Sequence, residues 1–521
     1  MSSRKFFDHL VARQIIWFIA ITFLIGVTVA ALFHKEYSVH LIAPLFIILI
    51  VCLDSFQSKH TLLKNFPLIG RFRYFFESIR PEFRQYFFEG ELDGKPFNRR
   101  QRPIVYQRAK NEKQTISFGM QDDPNRIGYE WAAHSIYPKK ANEQLFRITV
   151  GNEQCKQPYN ASIFNISAMS YGALSKTAVT SLNKGAQLGN FAHNTGEGGI
   201  SDYHLQGGDL IWQIGTGYFG CRDDEGNFSD ELFTERANYT QVKMIEVKLS
   251  QGAKPGHGGL LPAEKNTVEI AKIRSIKPNT TVHSPSAHTA FSDAEGLMLF
   301  LAKLRKLSNG KPIGFKICIG RKDEFIEIVE AMFTTGIYPD FITIDGAEGG
   351  TGAAPLEFID HMGMALTDAI VFVNRTLTQF GIREHVKIMA SGKIISAFDI
   401  SKSLALGADA CYSARGMMFA LGCIQALQCD SGKCPVGIAT QNKSLYKGLE
   451  VSDKSVRVAN FHKNTLKALA EFIGACGFIN PKDVTPDIFS RKTSENSSLT
   501  FAEIYYSNLT RRQNPEPINF N

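Results

Sequence analysis

The sequence predicts an α/β chain in which a parallel (β/α)8 barrel follows an N-terminal transmembrane helical hairpin. Three observations predict it. Beyond Tyr159, short apolar runs alternate with stretches of helical period, the pattern of βαβ units in a parallel sheet. Several of those runs end in glycine-rich polar loops, where barrels of this type gather their chemistry. Ahead of them lie two apolar stretches joined by a short polar turn. The 521 residues accommodate one such barrel with extensions, and no internal repeat of solenoid length is evident. The expected divisions are a hairpin over 1–60, an arm over 61–155, the barrel over 156–480 and a C-terminal extension over 481–521.

Residues 14–33 (QIIWFIAITFLIGVTVAALF) are long enough to span a bilayer, which takes about 20 apolar residues in helical form. Residues 41–53 (LIAPLFIILIVCL) are marginal unless their helix begins near Tyr37 and tolerates Pro44 early. Arg4, Lys5 and Arg13 precede the first segment, and Lys59, Lys64, Arg71 and Arg73 follow the second. The turn between them holds only Lys35 and Glu36. That bias puts both ends, and the barrel, on the cytoplasmic side of an inner (plasma) membrane. The competing arrangement, a signal anchor with a buried second helix, would carry the rest of the chain outside.

The arm, from Asn65 to about Asn152, is aromatic and basic with no clean period. FESIRPEFRQYFFE within it reads as a helix broken by Pro81. Phe75, Phe76, Phe83, Tyr86, Phe87 and Phe88 are expected to cover a core or a membrane interface rather than a cofactor. The formal charge of +8 accompanies a charged fraction of only 21%, with no Lys/Arg block interleaved with aromatics, so no nucleic-acid partner is expected. The nine cysteines lie apart except for one trio, and no signal-peptide cleavage pattern precedes them. Reducing, cytoplasmic surroundings follow rather than a secreted disulfide framework.

Candidate strands are 163–167, 242–248, 313–317, 341–344, 386–389 and 410–413. The loops in order read SAMSYGALS, HNTGEGG, KLSQGAKPGHGG, DGAEGGTGAAP, ASGK and SARG. Glycine there lets backbone N–H groups close on an anion and adopt positive φ. Gly349, Gly350 and Thr351, then Ser391, Gly392 and Lys393, then Ala414 and Arg415 offer donors from consecutive late loops, where such barrels hold phosphate. Tight turns use the same residues, so no single loop decides.

Cys423, Cys429 and Cys434 form a C-x5-C-x4-C-P cluster just beyond these units. Thiolates are soft ligands for iron–sulfur clusters or zinc, and both usually want four. Three with no obvious fourth nearby favour a three-iron cluster over a closed zinc site. The plain alternative is three buried thiols at a helix end.

From Phe164 to Gln441 the chain resembles the FMN-binding synthase domain of glutamate synthases, with SAMSYG, NTGEGG, QGAKPG, DGAEGGTGA and the closing C-x5-C-x4-CPVGIATQ in the same order. The resemblance implies a TIM barrel with FMN at its mouth and a [3Fe-4S] cluster on the trio passing it electrons. It places the backbone of Ala168, Met169 and Ser170 beside the flavin ring, with Thr195 and Glu197 opposite. Lys316, on FKICI, would stabilise negative charge at the flavin N1/C2=O edge, against the plain reading of a salt-bridged barrel lysine. Gln251 and Lys254 would hold the carboxylates of 2-oxoglutarate. The implied reaction condenses ammonia with 2-oxoglutarate and reduces the iminium to L-glutamate. Glu197 would transfer a proton or orient ammonia, with a raised pKa, or would merely cap the following turn.

Departures from the pattern carry expectations too. Neither Cys52, in an apolar span, nor Cys155, ahead of the barrel, suits the N-terminal nucleophile of a glutaminase domain, so ammonia is expected free or from a separate glutaminase subunit. The β-helix domain that usually follows is also expected to be missing. His257 stands where the family often has an acidic residue and could alter donor preference. No G-x-G-x-x-G opens a helix after a strand, so electrons are expected from ferredoxin, a separate reductase subunit or a membrane quinol. Residues 480–521 are expected to begin as packed structure and end as a loose tail, RRQNPEPINFN. Two alternatives stand beside glutamate formation: an N-substituted (methyl) glutamate synthase-like enzyme using an amine, and a non-catalytic flavin and iron–sulfur electron-transfer subunit. Glu197, Gln251, Lys254 and Lys316 together count against the last.

Overall fold

The computed structural model describes residues 12–112, 114–261 and 263–506, in two compact units, residues 1–99 and 100–521. Arg4, Lys5 and the tail RRQNPEPINFN lie outside the described residues.

In the first unit, the helix Ala12–Phe33 and the run Lys35–Phe56 are each 22 residues long and apolar enough to cross a membrane, with mean hydropathies of 2.6 and 2.4. The second begins as a 3-10 turn over Lys35–Leu41 and continues as the α-helix Ile42–Phe56, so the helical run does begin ahead of Tyr37. Pro44 falls in the first turn of that α-helix, at the passage from the 3-10 turn, where proline is tolerated. The Trp17 indole donates to Ser55 Oγ at 3.1 Å and ties the two helices together. After them, the helix Gly70–Phe83 runs through Pro81 and closes in a π-turn over Arg84–Phe88. The expected break at Pro81 is absent: the helix continues past it to Phe83 and passes directly into the π-turn. The arm's aromatics cover no core, for Phe75, Phe76, Phe83, Tyr86, Phe87 and Phe88 are all exposed.

The second unit is built on a closed barrel of eight parallel strands: β1 (Phe164–Ile166), β2 (His193–Asn194), β3 (Leu210–Ile214), β4 (Val242–Lys248), β5 (Ile313–Ile317), β6 (Phe341–Asp345), β7 (Lys387–Ser391) and β8 (Ala410–Ser413). Each pairs with its neighbour in sequence and β8 returns to β1. Their side chains are buried nearly throughout, because helices cover the outside and side chains fill the interior. Six of the eight lie where the sequence places them; β2 and β3 do not appear among those runs. A helix follows every strand except β2, which connects to β3 directly.

The arm contributes to this unit. Its helix Gln101–Lys110 packs on the long helix Val451–Ala475, where Asn464 Nδ2 donates to the Arg108 carbonyl at 2.8 Å and Arg108 reaches Thr465 Oγ1 at 3.3 Å. Glu130–Ala132 joins Phe489–Ser494 and Ser497–Thr500 in a three-stranded antiparallel sheet, so the described part of the C-terminal extension is ordered against the arm.

Candidate active site at the barrel mouth

The carboxyl ends of the strands bring the expected residues to one face, and hydrogen bonds lock their loops together. The Met169 N–H donates to the Asn194 carbonyl at 3.0 Å, and Gly196, with φ +66°, packs so close to Ser170 that a Cβ there would lie 2.8 Å from the Ser170 nitrogen. Ala168, Met169 and Ser170 thus lie directly against Thr195, whose buried hydroxyl accepts the Gln213 N–H at 3.1 Å. After β4, the Gly252 N–H donates to Asp345 Oδ2 at 2.9 Å and Gln251 Nε2 reaches Thr351 Oγ1 at 3.4 Å, joining that loop to the one after β6. Arg415 Nη2 donates to the Glu348 carbonyl, and its side chain lies where a Cβ on Gly350 would fall. Ser391 Oγ lies 3.4 Å from Ser167 Oγ, while Gly392 and Lys393 take φ of +153° and +53°.

Two layers of charge sit beneath and within these loops. In the barrel, the fully buried Glu246 of β4 accepts from Asn194 Nδ2 at 2.8 Å, Gln213 Nε2 at 2.7 Å and Thr343 Oγ1 at 2.5 Å. Above it Lys316 Nζ stands 3.2 Å from Asp345 Oδ2, both side chains under a tenth exposed. Burial alone would lower the Lys316 ammonium, but Asp345, Glu246 and Glu197 outweigh it and hold the pKa above the usual lysine range. The lysine is therefore salt-bridged as the plain reading has it, and it also stands on the strand that leads to the mouth.

In the upper layer, Glu197 Oε2 pairs with Lys248 Nζ at 2.9 Å. Burial pushes the Glu197 carboxyl up, yet Lys248, Lys254 and Arg274 together bring it below the usual carboxylate range. The raised pKa expected of this residue is thus corrected: the cations around it keep it ionised. Lys254 is itself drawn down, by burial first and by Lys248, against the pull of Glu197. His257 is exposed, bonded to the Gly258 carbonyl and edge-on to Phe358.

Sequence reasoning missed Glu246, Lys248, Arg274, His204 and His288. Arg274 is buried, donates to the Tyr171 carbonyl at 3.2 Å, and is lowered by burial to about 10. His204 Nε2 fixes the Met169 carbonyl at 3.0 Å and His288 Nε2 the Lys248 carbonyl at 2.9 Å. Burial lowers both imidazoles to about 4, so each is neutral near pH 7. A signal for two of these existed: in VKMIEVK, Glu246 and Lys248 share parity, hence one face of the strand.

The cysteine trio lies on the loop after the helix Arg415–Leu421, all three thiols free. Cys423 Sγ accepts the Gln425 N–H at 3.4 Å, and Tyr106 of the arm donates to the Cys423 carbonyl at 2.6 Å. Burial chiefly, then the nearness of Cys429 and Cys434, pushes the Cys423 thiol up to about 12. Among the described residues, no group of three His, Cys, Asp or Glu side chains could hold a metal ion, this trio included.

Residues 104–479 match the conserved region in glutamate synthase. The chain belongs to the glutamate synthase family. It is 37% identical over 470 residues to the Bacillus subtilis glutamate synthase large subunit-like protein YerD, covering 82% of this chain and 89% of that one. An archaeal glutamate synthase [NADPH] of Methanocaldococcus jannaschii is 34% identical over 68% of this chain. The archaeal-type glutamate synthase [NADPH] of Thermotoga neapolitana is 36% identical over 60%. The chain spans 66% and 58% of the lengths of these last two. Family membership makes the chain an oxidoreductase on a TIM barrel. Among solved structures, a flavocytochrome b2 mutant with pyruvate bound overlaps 86% of this chain and 93% of its own at 13% identity and a TM-score of 0.43, too loosely to bear on activity.

Proposed function

We propose that this glutamate synthase family member binds FMN at the barrel mouth and reductively aminates 2-oxoglutarate to L-glutamate, with electrons delivered through a [3Fe-4S] cluster from an external donor. The observation that carries the proposal is the convergence, on one face, of the late glycine loops with a cationic pocket around Glu197. FMN fits the residues present. Gly349 and Gly350 sit where a Cβ would strike Asp345, the Gly346 carbonyl or Arg415, so the glycine loop closes against the Arg415 guanidinium, whose charge suits a phosphate; the Gly349 N–H itself is donated to the Gly346 carbonyl at 2.8 Å. Bound there, the flavin supplies the hydride.

The chain's own residues do the rest. Ala168, Met169, Ser170 and Thr195 line the ring's place with backbone held by His204 and Asn194. Lys316, kept charged by Asp345 and Glu246, favours negative charge developing nearby. Lys254 and Gln251 bind and orient the two carboxylates of 2-oxoglutarate, and Lys248 and Arg274 add positive potential to that pocket. Glu197, ionised at neutral pH, orients ammonia by accepting an N–H hydrogen bond from it, rather than serving as a general acid.

Cys423, Cys429 and Cys434 suit a cluster of several irons, which takes one thiolate per iron and so spaces its ligands further apart than a single ion does. The Gln425 N–H on Cys423 Sγ is the kind of hydrogen bond that lowers charge on a ligating sulfur. The M. jannaschii relative is named for NADPH. Here the donor is proposed to be ferredoxin, a reductase subunit or a quinol, and ammonia to arrive free or from a glutaminase subunit. The two long apolar helices of the first unit anchor the enzyme in the inner membrane with the barrel on the cytoplasmic side.

The test is purification of the full chain in detergent, with FMN and iron assays, followed by anaerobic reduction. Mixing with 2-oxoglutarate and ammonia should reoxidise the flavin and yield glutamate. Reoxidation by 2-oxoglutarate only with methylamine would replace the nitrogen donor, and protein that binds neither flavin nor iron after reconstitution would overturn the reading.

A further inference from the structure

The helix Gly70–Phe83 and the turn Arg84–Phe88 carry an apolar face that the other described residues of the first unit leave exposed. Phe72, Phe75, Phe76, Ile79, Phe83 and Phe87 recur at helical steps of three and four, which puts them on one side. The five phenylalanines among them are exposed, Phe72 to 60%, Phe76 to 60% and Phe87 to 74%. Scattered apolar residues are ordinary on a protein surface; a contiguous aromatic stripe marks a binding face.

Where this helix is held says what it binds. Asp54, in the last turn of the second apolar helix, is only 1% exposed. It takes Arg71 Nη2 at 2.7 Å and Nε at 2.8 Å, and the Leu68 N–H at 3.0 Å. This clamp fixes the first turn of Gly70–Phe83 to the end of the span Lys35–Phe56, at the level where a membrane helix meets water. The rest of the segment is basic, with Arg71, Arg73, Arg80 and Arg84 against Glu77 and Glu82. An aromatic face, an arginine-rich flank and attachment at a span's end are the ingredients of an in-plane interfacial helix.

We infer that residues 70–88 bed their phenylalanine face into the headgroup boundary of an anionic lipid bilayer. The inference rests on the hairpin's being membrane-spanning and adds a second, peripheral attachment to it. Electrostatic attraction by the arginines selects anionic lipid and weakens with salt. The aromatic face contributes regardless of salt.

The test places a nitroxide, carried on a non-canonical residue, in turn at Phe23, Phe76 and Glu77 of the full chain in vesicles of phosphatidylethanolamine and phosphatidylglycerol. Expected at Phe76 is relaxation by oxygen with shielding from a water-soluble nickel complex; Glu77, on the other face, should show the reverse. Raising salt, or changing to phosphatidylcholine, should increase nickel access at Phe76 severalfold. Equal nickel access at Phe76 and Glu77, with Phe23 still shielded, overturns the inference while sparing the hairpin. Shielding of Phe76 from both reagents means that protein covers the face, and overturns it too. Nickel access at Phe23 sinks the hairpin reading itself.

Discussion

Replacing Lys316 with methionine should destabilise the barrel by about 4 kcal/mol. At 3.2 Å, in an effective dielectric near 20, its attraction to Asp345 is about 5 kcal/mol before desolvation is subtracted. Both side chains are almost wholly enclosed, so removal of one leaves a buried, unpaired charge, a change that costs about 3–5 kcal/mol. Adding Asp345→Asn removes that charge and keeps an acceptor for the Gly252 N–H, so Lys316→Met/Asp345→Asn should recover most of the loss, to within about 2 kcal/mol of the parent. Urea unfolding of the detergent-solubilised chain, followed by tryptophan fluorescence to which buried Trp212 contributes, gives the midpoints for the parent, Lys316→Met, Asp345→Asn and the double variant. A double variant as unstable as Lys316→Met, or a single variant within about 1 kcal/mol of the parent, would refute the assignment of these residues as a coupled buried pair.

Glu246→Gln weakens three charge-assisted hydrogen bonds and should cost about 2–4 kcal/mol in the same assay while lowering the pKa of Lys316. Cys434→Ser should cut iron per chain by more than half while leaving the far-UV circular dichroism unchanged; full iron loading would remove this thiol from the ligand set. Burial depresses His204 to about 4 from an ordinary 6.5, so the unfolded chain takes up the proton first. Its contribution is complete above the ordinary value and is lost, by roughly 3 kcal/mol, as pH falls towards 4, which acid unfolding of the parent and His204→Gln will compare. Glu197 is depressed as well, so the stability from its pair with Lys248 persists above the ordinary carboxylate range and disappears as pH falls through the lowered value; Lys248→Met should shrink that dependence, leaving the smaller share due to Lys254 and Arg274.

The barrel was legible wherever a strand was a run of β-branched and apolar residues, as in Ile313–Ile317 and Phe341–Asp345. It was illegible at His193–Asn194, only two residues long and polar, of which Asn194 turns inward to serve Glu246, and at Leu210–Ile214, where Gln213 turns into the same network. Glycine loops announced the mouth because their conformations demand that residue. The charges beneath were concealed inside strands or in the long connection from β4 to β5, where Arg274 and His288 sit far in sequence from the motifs they support. The arm helix Gln101–Lys110 escaped notice because its packing on Val451–Ala475 is tertiary, and ten residues carry too few turns to show a period.

Glu246 is sealed from solvent, with the hydrogen bonds on its carboxylate supplied from inside the barrel by Asn194 of β2, Gln213 of β3 and Thr343 of β6. Mobile ions cannot reach it to form a screening atmosphere, so its field on the lysine above is a fixed bias, like a voltage built into the scaffold. A redox group seated over that lysine would keep the same midpoint in dilute buffer and in concentrated salt.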